Sequence, residues 1–196
     1  MRQTFIRSIV RVVARDGLER ATTKAISVEA DLNEAYIYRC FRGKEDLLAK
    51  ALNMEDVNLA RLLQELLPQI DRPEVSFKQG ALELWKQVWA FILEEPDDCV
   101  FYIRYYYSAS FYAEAYRMHL ECYQPFIDQM SRYFKPGTNM RMLAHQLFST
   151  MLFFAYRVMT GEMENNEQTT LWTFEQIYSF IALNVQPEYL QEEKEM

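Results

Sequence analysis

The chain has 196 residues, of which 50% are hydrophobic, 15% aromatic and 25% charged, with 5 Gly, 6 Pro, 3 Cys and a net charge of −7. That length can bury a substantial core in one or two domains, and so few glycines favour helices over a turn-rich β fold. The odd cysteine number fits neither a disulfide framework nor a zinc pattern, and no apolar run reaches the ~18 residues of a membrane span.

The first expected helix, TFIRSIVRVVARDG, is amphipathic. Phe5, Ile6, Ile9, Val10 and Val13 form its apolar side, and Arg7, Arg11 and Arg15 recur on one stripe. Such a helix can serve as a transit peptide or lie on a membrane surface. No small-residue cleavage site follows, and it leads directly into the next motif, so a supporting helix is preferred.

Residues 22–48, TTKAISVEADLNEAYIYRCFRGKEDLL, read as a short helix, a tight turn, a second short helix and the start of a third. Thr22 and Thr23 precede a run with Ile26 and Ala30 facing inward, and a threonine there can accept from an orphan amide. Asp31 and Leu32 interrupt the pattern, and Asn33 suits the next N-cap. Leu32 and Ile37 are spaced as a hydrophobic staple. At about 100° per residue, an inward Ile37 turns Ala35 and Arg39 outward, flanked by Tyr36 and Tyr38. Arginine can bond guanine in bidentate fashion, tyrosine hydroxyls reach phosphates, and a small residue permits close approach to a groove. Lys44 opens the following helix, where its charge and the helix amides can both hold a phosphate. The candidate DNA-contacting set is Thr22, Thr23, Lys24, Asn33, Glu34, Ala35, Tyr36, Tyr38, Arg39 and Lys44. A helical hairpin inside an ordinary bundle is the competing reading.

Residues 5–52 resemble the DNA-binding domain of TetR-type bacterial transcriptional regulators. The resemblance rests on an apolar first helix ending at Gly17, then Thr22, Ile26 and Ala30, and above all on Tyr38-x-x-Phe41-x-x-Lys44-x-x-Leu47 with Leu48. Three positions depart from the usual pattern. Asp31 stands where a turn glycine is common, Glu34 where a basic or small polar residue is common, and Cys40 where an aromatic residue or histidine is common. Asp31 can keep a left-handed turn. Glu34 would stand near phosphates, lowering affinity or accepting from a cytosine amino group.

Charge is divided unevenly. Residues 1–53 hold 10 Lys or Arg against 7 Asp or Glu, so +3, and residues 54–196 hold 11 against 21, so −10. A basic head on an acidic body is compatible with DNA binding through one end.

The body predicts six more helices. They cover about 44–67, 74–94, 97–107, 110–134, 139–161 and 167–185. Pro68, Pro96 and the Pro136-Gly137 pair act as stops, Asp97 or Asp98 and Ser110 are the expected caps, and Pro125 bends the long helix. The expected fold is all-α: residues 1–50 as a three-helix helix-turn-helix domain, and residues 51–196 as a larger ligand-binding and dimerisation bundle, about nine helices altogether. The acidic tail after Pro187 is expected to fray.

Aromatic residues crowd the middle of the chain. The resemblance implies a ligand pocket there, with Trp85, Trp89, Tyr102, Tyr105, Tyr106, Tyr112, Tyr116 and His119 as candidates. Clustered tyrosines suit a cavity dotted with hydroxyls, and equally a plain aromatic core. Few basic groups favour an apolar or aromatic cationic ligand. The last two helices are apolar on two sides, so a second subunit is expected on one of them. Leu143, Leu147, Met151, Phe154, Phe174, Tyr178 and Ile181 are the candidate dimer residues. A buried hairpin in a monomer is the alternative.

Only two histidines are present. No catalytic constellation, cofactor motif or metal site is expected. His119 and Cys122 could share a helix face, but two ligands do not make a metal site. The expectation is a cytoplasmic, non-enzymatic homodimer that represses transcription at a palindromic double-stranded operator and is released by a small molecule, with no membrane partner. A similar helical dimer binding a ligand or partner without an operator is the alternative.

Overall fold

The computed structural model describes residues 1–70, 72, 74–111 and 113–190. Those residues form an all-α chain of nine α-helices: α1 (Arg2–Asp16), α2 (Thr23–Ala30), α3 (Ala35–Cys40), α4 (Lys44–Leu66), α5 (Phe77–Glu94), α6 (Pro96–Tyr106), α7 (Ala113–Met130), α8 (Met140–Met159) and α9 (Glu167–Ala182). Their packing forms two compact units, one of residues 1–58 with 95–122, the other of residues 59–94 with 123–196. This differs from the boundary expected near residue 50, because α6 packs along α1 and so joins the first unit.

In the first unit, α1 buries Phe5, Ile6, Ile9, Val10, Val12 and Val13. Gly17 ends the helix at φ 88°, a conformation that costs a side-chain-bearing residue free energy, and its amide donates to the Val13 carbonyl. The Thr22 hydroxyl oxygen accepts from the Ala25 amide at 3.1 Å and starts α2. Asp31 closes α2 in the left-handed region at φ 52°, ψ 43°. The Asn33 side chain accepts from the Ala35 amide at 2.8 Å, which makes it the working cap of α3. Ile26, Ile37, Leu47, Leu48 and Leu52 are sealed in the core with Phe101 and Tyr105 of α6. Each such aliphatic side chain contributes roughly 1.5–3 kcal/mol when fully buried.

The expected caps of α6 and α7 need correction. Pro96 occupies the first turn of α6, where its missing amide costs nothing, so Asp97 and Asp98 lie inside that turn and act on the helix dipole. Helix α7 does not start at the expected Ser110. Residues 105–111 turn back on themselves instead, with the Ser108 amide donating to Tyr105 O and the Phe111 amide to Ser108 O, and α7 starts at Ala113.

The second unit gathers α5, α8 and α9. Helix α5 starts at Phe77, later than the expected 74, because Ser76 and Gln79 cap each other: the Gln79 amide donates to Ser76 Oγ at 3.2 Å and the Ser76 amide to Gln79 Oε1 at 3.0 Å. Asn139 and Asn166 cap α8 and α9 through their side chains. After α7 a short 3-10 turn, Ser131–Tyr133, leads into an isolated antiparallel bridge between Phe134 and Val185. Helix α9 therefore ends at Ala182, short of the expected 185.

Candidate functional site

The helix-turn-helix presents the face expected from its periodicity. Ile37 is fully buried, while Ala35, Tyr38 and Arg39 are exposed on the opposite side of α3. Tyr38 is 61% exposed, a large cost for an aromatic ring that has no partner to meet. The Arg39 guanidinium lies over the half-buried Tyr36 ring, 5.2 Å from its centroid, which restricts where its fork can point. Thr22, Lys24 and Asn33 are exposed, and Thr23, Glu34 and Lys44 are half-buried.

Glu34 has an internal partner. The Thr23 hydroxyl donates to its carboxylate at 2.5 Å and ties the start of α2 to the start of α3. Thr23 and Glu34 thus brace the two helices of the motif as well as standing beside the reading face.

The aromatic candidates divide between the two units. In the first, Tyr102 of α6 donates its hydroxyl to Asp56 Oδ1 of α4 at 2.7 Å. His119 Nδ1 lies 3.1 Å from the same carboxylate oxygen and 3.0 Å from the Tyr102 hydroxyl. These three side chains are at most 6% exposed. Tyr106 packs on His119 and on Phe111, at 5.1 and 5.0 Å between ring centroids, and Phe111 on Tyr116 at 6.1 Å. Burial, with Tyr107, Tyr116 and Asp56 adding to it, pushes the Tyr106 phenol up to about 12, so it remains a neutral hydroxyl. Tyr105 is fully buried and belongs to the core.

In the second unit, Trp85 and Trp89 stack at 5.3 Å. The Trp85 indole donates to the Thr170 carbonyl at 3.0 Å. The Trp89 indole nitrogen is buried without a hydrogen-bond partner among the described residues. Tyr112 lies outside the described residues.

Of the candidate dimer residues, Leu143, Met151, Phe154, Phe174 and Tyr178 are buried within the chain itself, and Leu147 and Ile181 are half-buried. The exposed apolar residues of α8 and α9 are Met142, Phe153, Tyr156, Leu171, Trp172 and Phe180, with Leu183 just beyond. Trp172 and Phe153 each meet Phe154 edge-on at 5.5 Å, so both exposed rings rest on one buried ring.

Three polar contacts escape sequence reasoning. Arg7 of α1 reaches Asp98 of α6 at 2.8 Å and Glu55 of α4 at 3.4 Å. Burial and the neighbouring Asp98 push the Glu55 carboxyl up to about 7, against the opposing pull of Arg7. At the other end of α1, Arg104 of α6 donates to the Val13 carbonyl at 2.8 Å. Asp56 carried one visible signal: it interrupts the apolar stripe of Leu48, Leu52 and Leu59. Burial pushes the thiols of Cys99 and Cys122 up to about 12 and about 11, which keeps them protonated and unreactive. Among the described residues no helix is long and apolar enough to cross a membrane, and no group of three or more His, Cys, Asp or Glu is placed to hold a metal ion.

Residues 5–51 match the family model described as bacterial regulatory proteins, tetR family. Over 71 residues the chain is 37% identical to the HTH-type nicotine-responsive transcriptional repressor HdnoR of Paenarthrobacter nicotinovorans, covering 36% of this chain and 33% of that protein. The match thus spans about a third of the length of that relative. A TetR family transcription regulator from Marinobacter aquaeolei VT8 shares the fold with a TM-score of 0.71 at 20% identity, over 91% of this chain and 93% of that one. The transcriptional regulator FadR from Bacillus subtilis, solved with stearoyl-CoA, does so with a TM-score of 0.66 at 14% identity, over 89% and 96% of the two chains.

Proposed function

We propose that this chain, whose residues 5–51 match the model of the tetR family of bacterial regulatory proteins, is a regulator of that type: a dimeric one-component transcriptional repressor that binds a palindromic operator and is released by a small molecule. The observation that carries the reading is the uncovered face of α3, where Ala35, Tyr38 and Arg39 stand outward over a sealed Ile37. Arg39 reads guanine in the major groove, Ala35 permits the close approach, and the hydroxyls of Tyr36, Tyr38 and Thr22 with Lys24 and Lys44 hold phosphates. Asn33 fixes the start of the reading helix. Thr23 and Glu34 act as its brace.

A monomer reads one half-site, and two half-sites lie about 34 Å apart, so the operator demands a two-fold dimer. The exposed rings of α8 and α9 supply the face for it. Effector recognition falls to the aromatic residues: Tyr102, Tyr106, Tyr116 and His119 in the first unit, Trp85 and Trp89 in the second. HdnoR answers to nicotine and FadR was solved with stearoyl-CoA, which supports a regulator that answers to a small molecule. Release requires that the ligand bind two states of the dimer unequally. The site of action is the cytoplasm, where the operator lies.

Electrophoretic retardation of DNA flanking the chain's own gene tests the reading. The wild type should retard one fragment at low salt and lose it steeply as salt rises. Arg39→Ala and Lys44→Ala should weaken it, the first with relaxed base preference and the second without. Retardation of no fragment would remove the operator role. A second reading, a helical dimer that binds a ligand or partner without DNA, draws on the carboxylates of Asp31 and Glu34 near the reading face and on the net charge of −7. It predicts no salt-dependent affinity for any fragment.

A further inference from the structure

The tie between Thr23 and Glu34 engages half of a carboxylate. Glu34 precedes α3 with helical backbone angles, φ −55° and ψ −33°, and is half-buried. Its Oε1 accepts from the Thr23 hydroxyl at 2.5 Å, whereas Oε2 meets no donor among the described residues. A bond from one hydroxyl needs one acceptor, which a neutral glutamine also supplies. The brace thus leaves the charge and the second oxygen unused. Both carry a cost on DNA, because the opening residues of a reading helix enter a groove bordered by phosphates. Phosphates have no proton to donate, so the repulsion is offset only by a donor on a base. In the major groove the amino groups of cytosine and adenine are the donors. Cytosine N4 suits a carboxylate, whereas the adenine amino group stands beside N7, an acceptor that repels one. Thr23 already holds the carboxylate in one orientation, so little side-chain freedom is lost when the base arrives.

We propose that Glu34 is a specificity-determining residue, which accepts through Oε2 from the N4 amino group of a cytosine while Thr23 holds Oε1. The assignment rests on the reading of the chain as an operator-binding regulator, and names one base of its half-site. Glu34 and Arg39 stand on one continuous helical path. At ~1.5 Å per residue, the rise from one to the other is about 7.5 Å. With α3 lying along the groove, that rise spans about two steps of ~3.4 Å. The cytosine therefore lies about two or three base pairs from the guanine that Arg39 reads.

The test is selection from a randomised duplex library by the whole purified chain, followed by affinity measurements on the selected duplex. Wild type should enrich a palindrome whose half-site holds a C·G pair at that spacing from a G·C pair. Exchanging the C·G pair for T·A puts an acceptor where the amino group was, and should weaken binding about tenfold. Glu34→Gln keeps an acceptor for Thr23 and suits adenine, so its selected half-site should change at this pair alone, from C·G to A·T. The same variant loses a negative charge and should bind a scrambled duplex more tightly than wild type does. Thr23→Val keeps the charge and removes the donor, and should narrow the C·G preference without replacing it. A brace with no reading role predicts the wild-type motif for Glu34→Gln, and that result overturns the proposal. A wild-type motif with no C·G pair at the stated spacing overturns it too, and decides the matter even if the variant fails to fold. Enrichment of no motif by wild type sinks the operator reading and the cytosine with it. A palindrome shared unchanged by wild type and Glu34→Gln sinks the cytosine alone.

Discussion

Asp31 shows how one residue can satisfy a backbone demand at an electrostatic cost. Its φ of 52° belongs to the left-handed region, which Asp and Asn tolerate better than other residues with a side chain. Its negative charge sits at the C-terminal end of α2, where the helix dipole is also negative. Asp31→Asn should therefore stabilise the fold by a few tenths of a kcal/mol, about 0.3–1 in the usual range for such charges. Asp31→Ala removes both the tolerance and the charge, and the backbone term should win, with a loss of about 1 kcal/mol. Chemical denaturation of the three proteins checks the order Asn, Asp, Ala. Glu55 makes a second prediction at this scale. Its carboxyl is raised from 4.5 to about 7 by burial and by Asp98. The folded state thus holds the proton more tightly than the unfolded one, so the contribution to stability is full below about 4.5 and is lost as pH rises through about 7. Glu55→Gln stays neutral throughout, while Arg7 keeps Asp98 at 2.8 Å. The variant's advantage over wild type should grow by on the order of 1–2 kcal/mol between about pH 5 and pH 8. Tm measured for both proteins across that interval would show parallel curves if the burial of Glu55 carried no penalty.

Helix boundaries follow from side chains that bond the nearest amides, and these were legible wherever the cap stood alone. Thr22 and Asn33 mark starts from sequence and do so in the fold. Helix α5 starts later than expected because the reciprocal pair Ser76 and Gln79 supplies the working cap. Which face of α8 and α9 turns inward was open for a different reason. Both stripes of α8 are apolar, and a period of 3.6 fixes the spacing of a stripe but not which stripe turns inward. Tyr102 and His119 stood among the pocket candidates, but their bonds to Asp56 were beyond reach because they join residues 46 and 63 positions apart. Gly80 adds a packing constraint that composition hides. A Cβ built there would lie 2.8 Å from the Ile70 Cα, and a backbone atom cannot rotate aside. Alanine in a helix interior ordinarily gains about 1 kcal/mol over glycine. Here the overlap should outweigh that gain, at the ~1–3 kcal/mol typical of overpacking, so Gly80→Ala should lower the denaturation midpoint. A raised midpoint would mean that the turn around Ile70 yields freely.

At the scale of the whole molecule, the net charge of −7 opposes DNA binding, and assembly must supply what charge does not. A head with an excess of three positive charges offers few phosphate contacts. Two heads on one operator double them, and the second binds at the high effective concentration set by the first. The exposed rings are the proposed means. Phe153, Tyr156, Leu171 and Trp172 are 53%, 43%, 37% and 50% exposed, and solvent-facing aromatic residues on adjoining helices are a pattern found at protein interfaces. Replacing Trp172 with Asp leaves the buried side of α9 untouched, since Phe174, Ile177 and Tyr178 hold that side. It places a charge at the expected centre of the contact, where truncating or burying an unpaired group costs roughly 2–4 kcal/mol. Trp172→Asp should therefore sediment as the 23.4 kDa single chain, with its helical circular dichroism intact. Its operator affinity should fall further than that of Lys44→Ala, although no group on α3 has changed. Wild-type protein that sediments as a single chain, or a Trp172→Asp variant that remains paired, would place the two-fold contact elsewhere and return these rings to the aqueous surface.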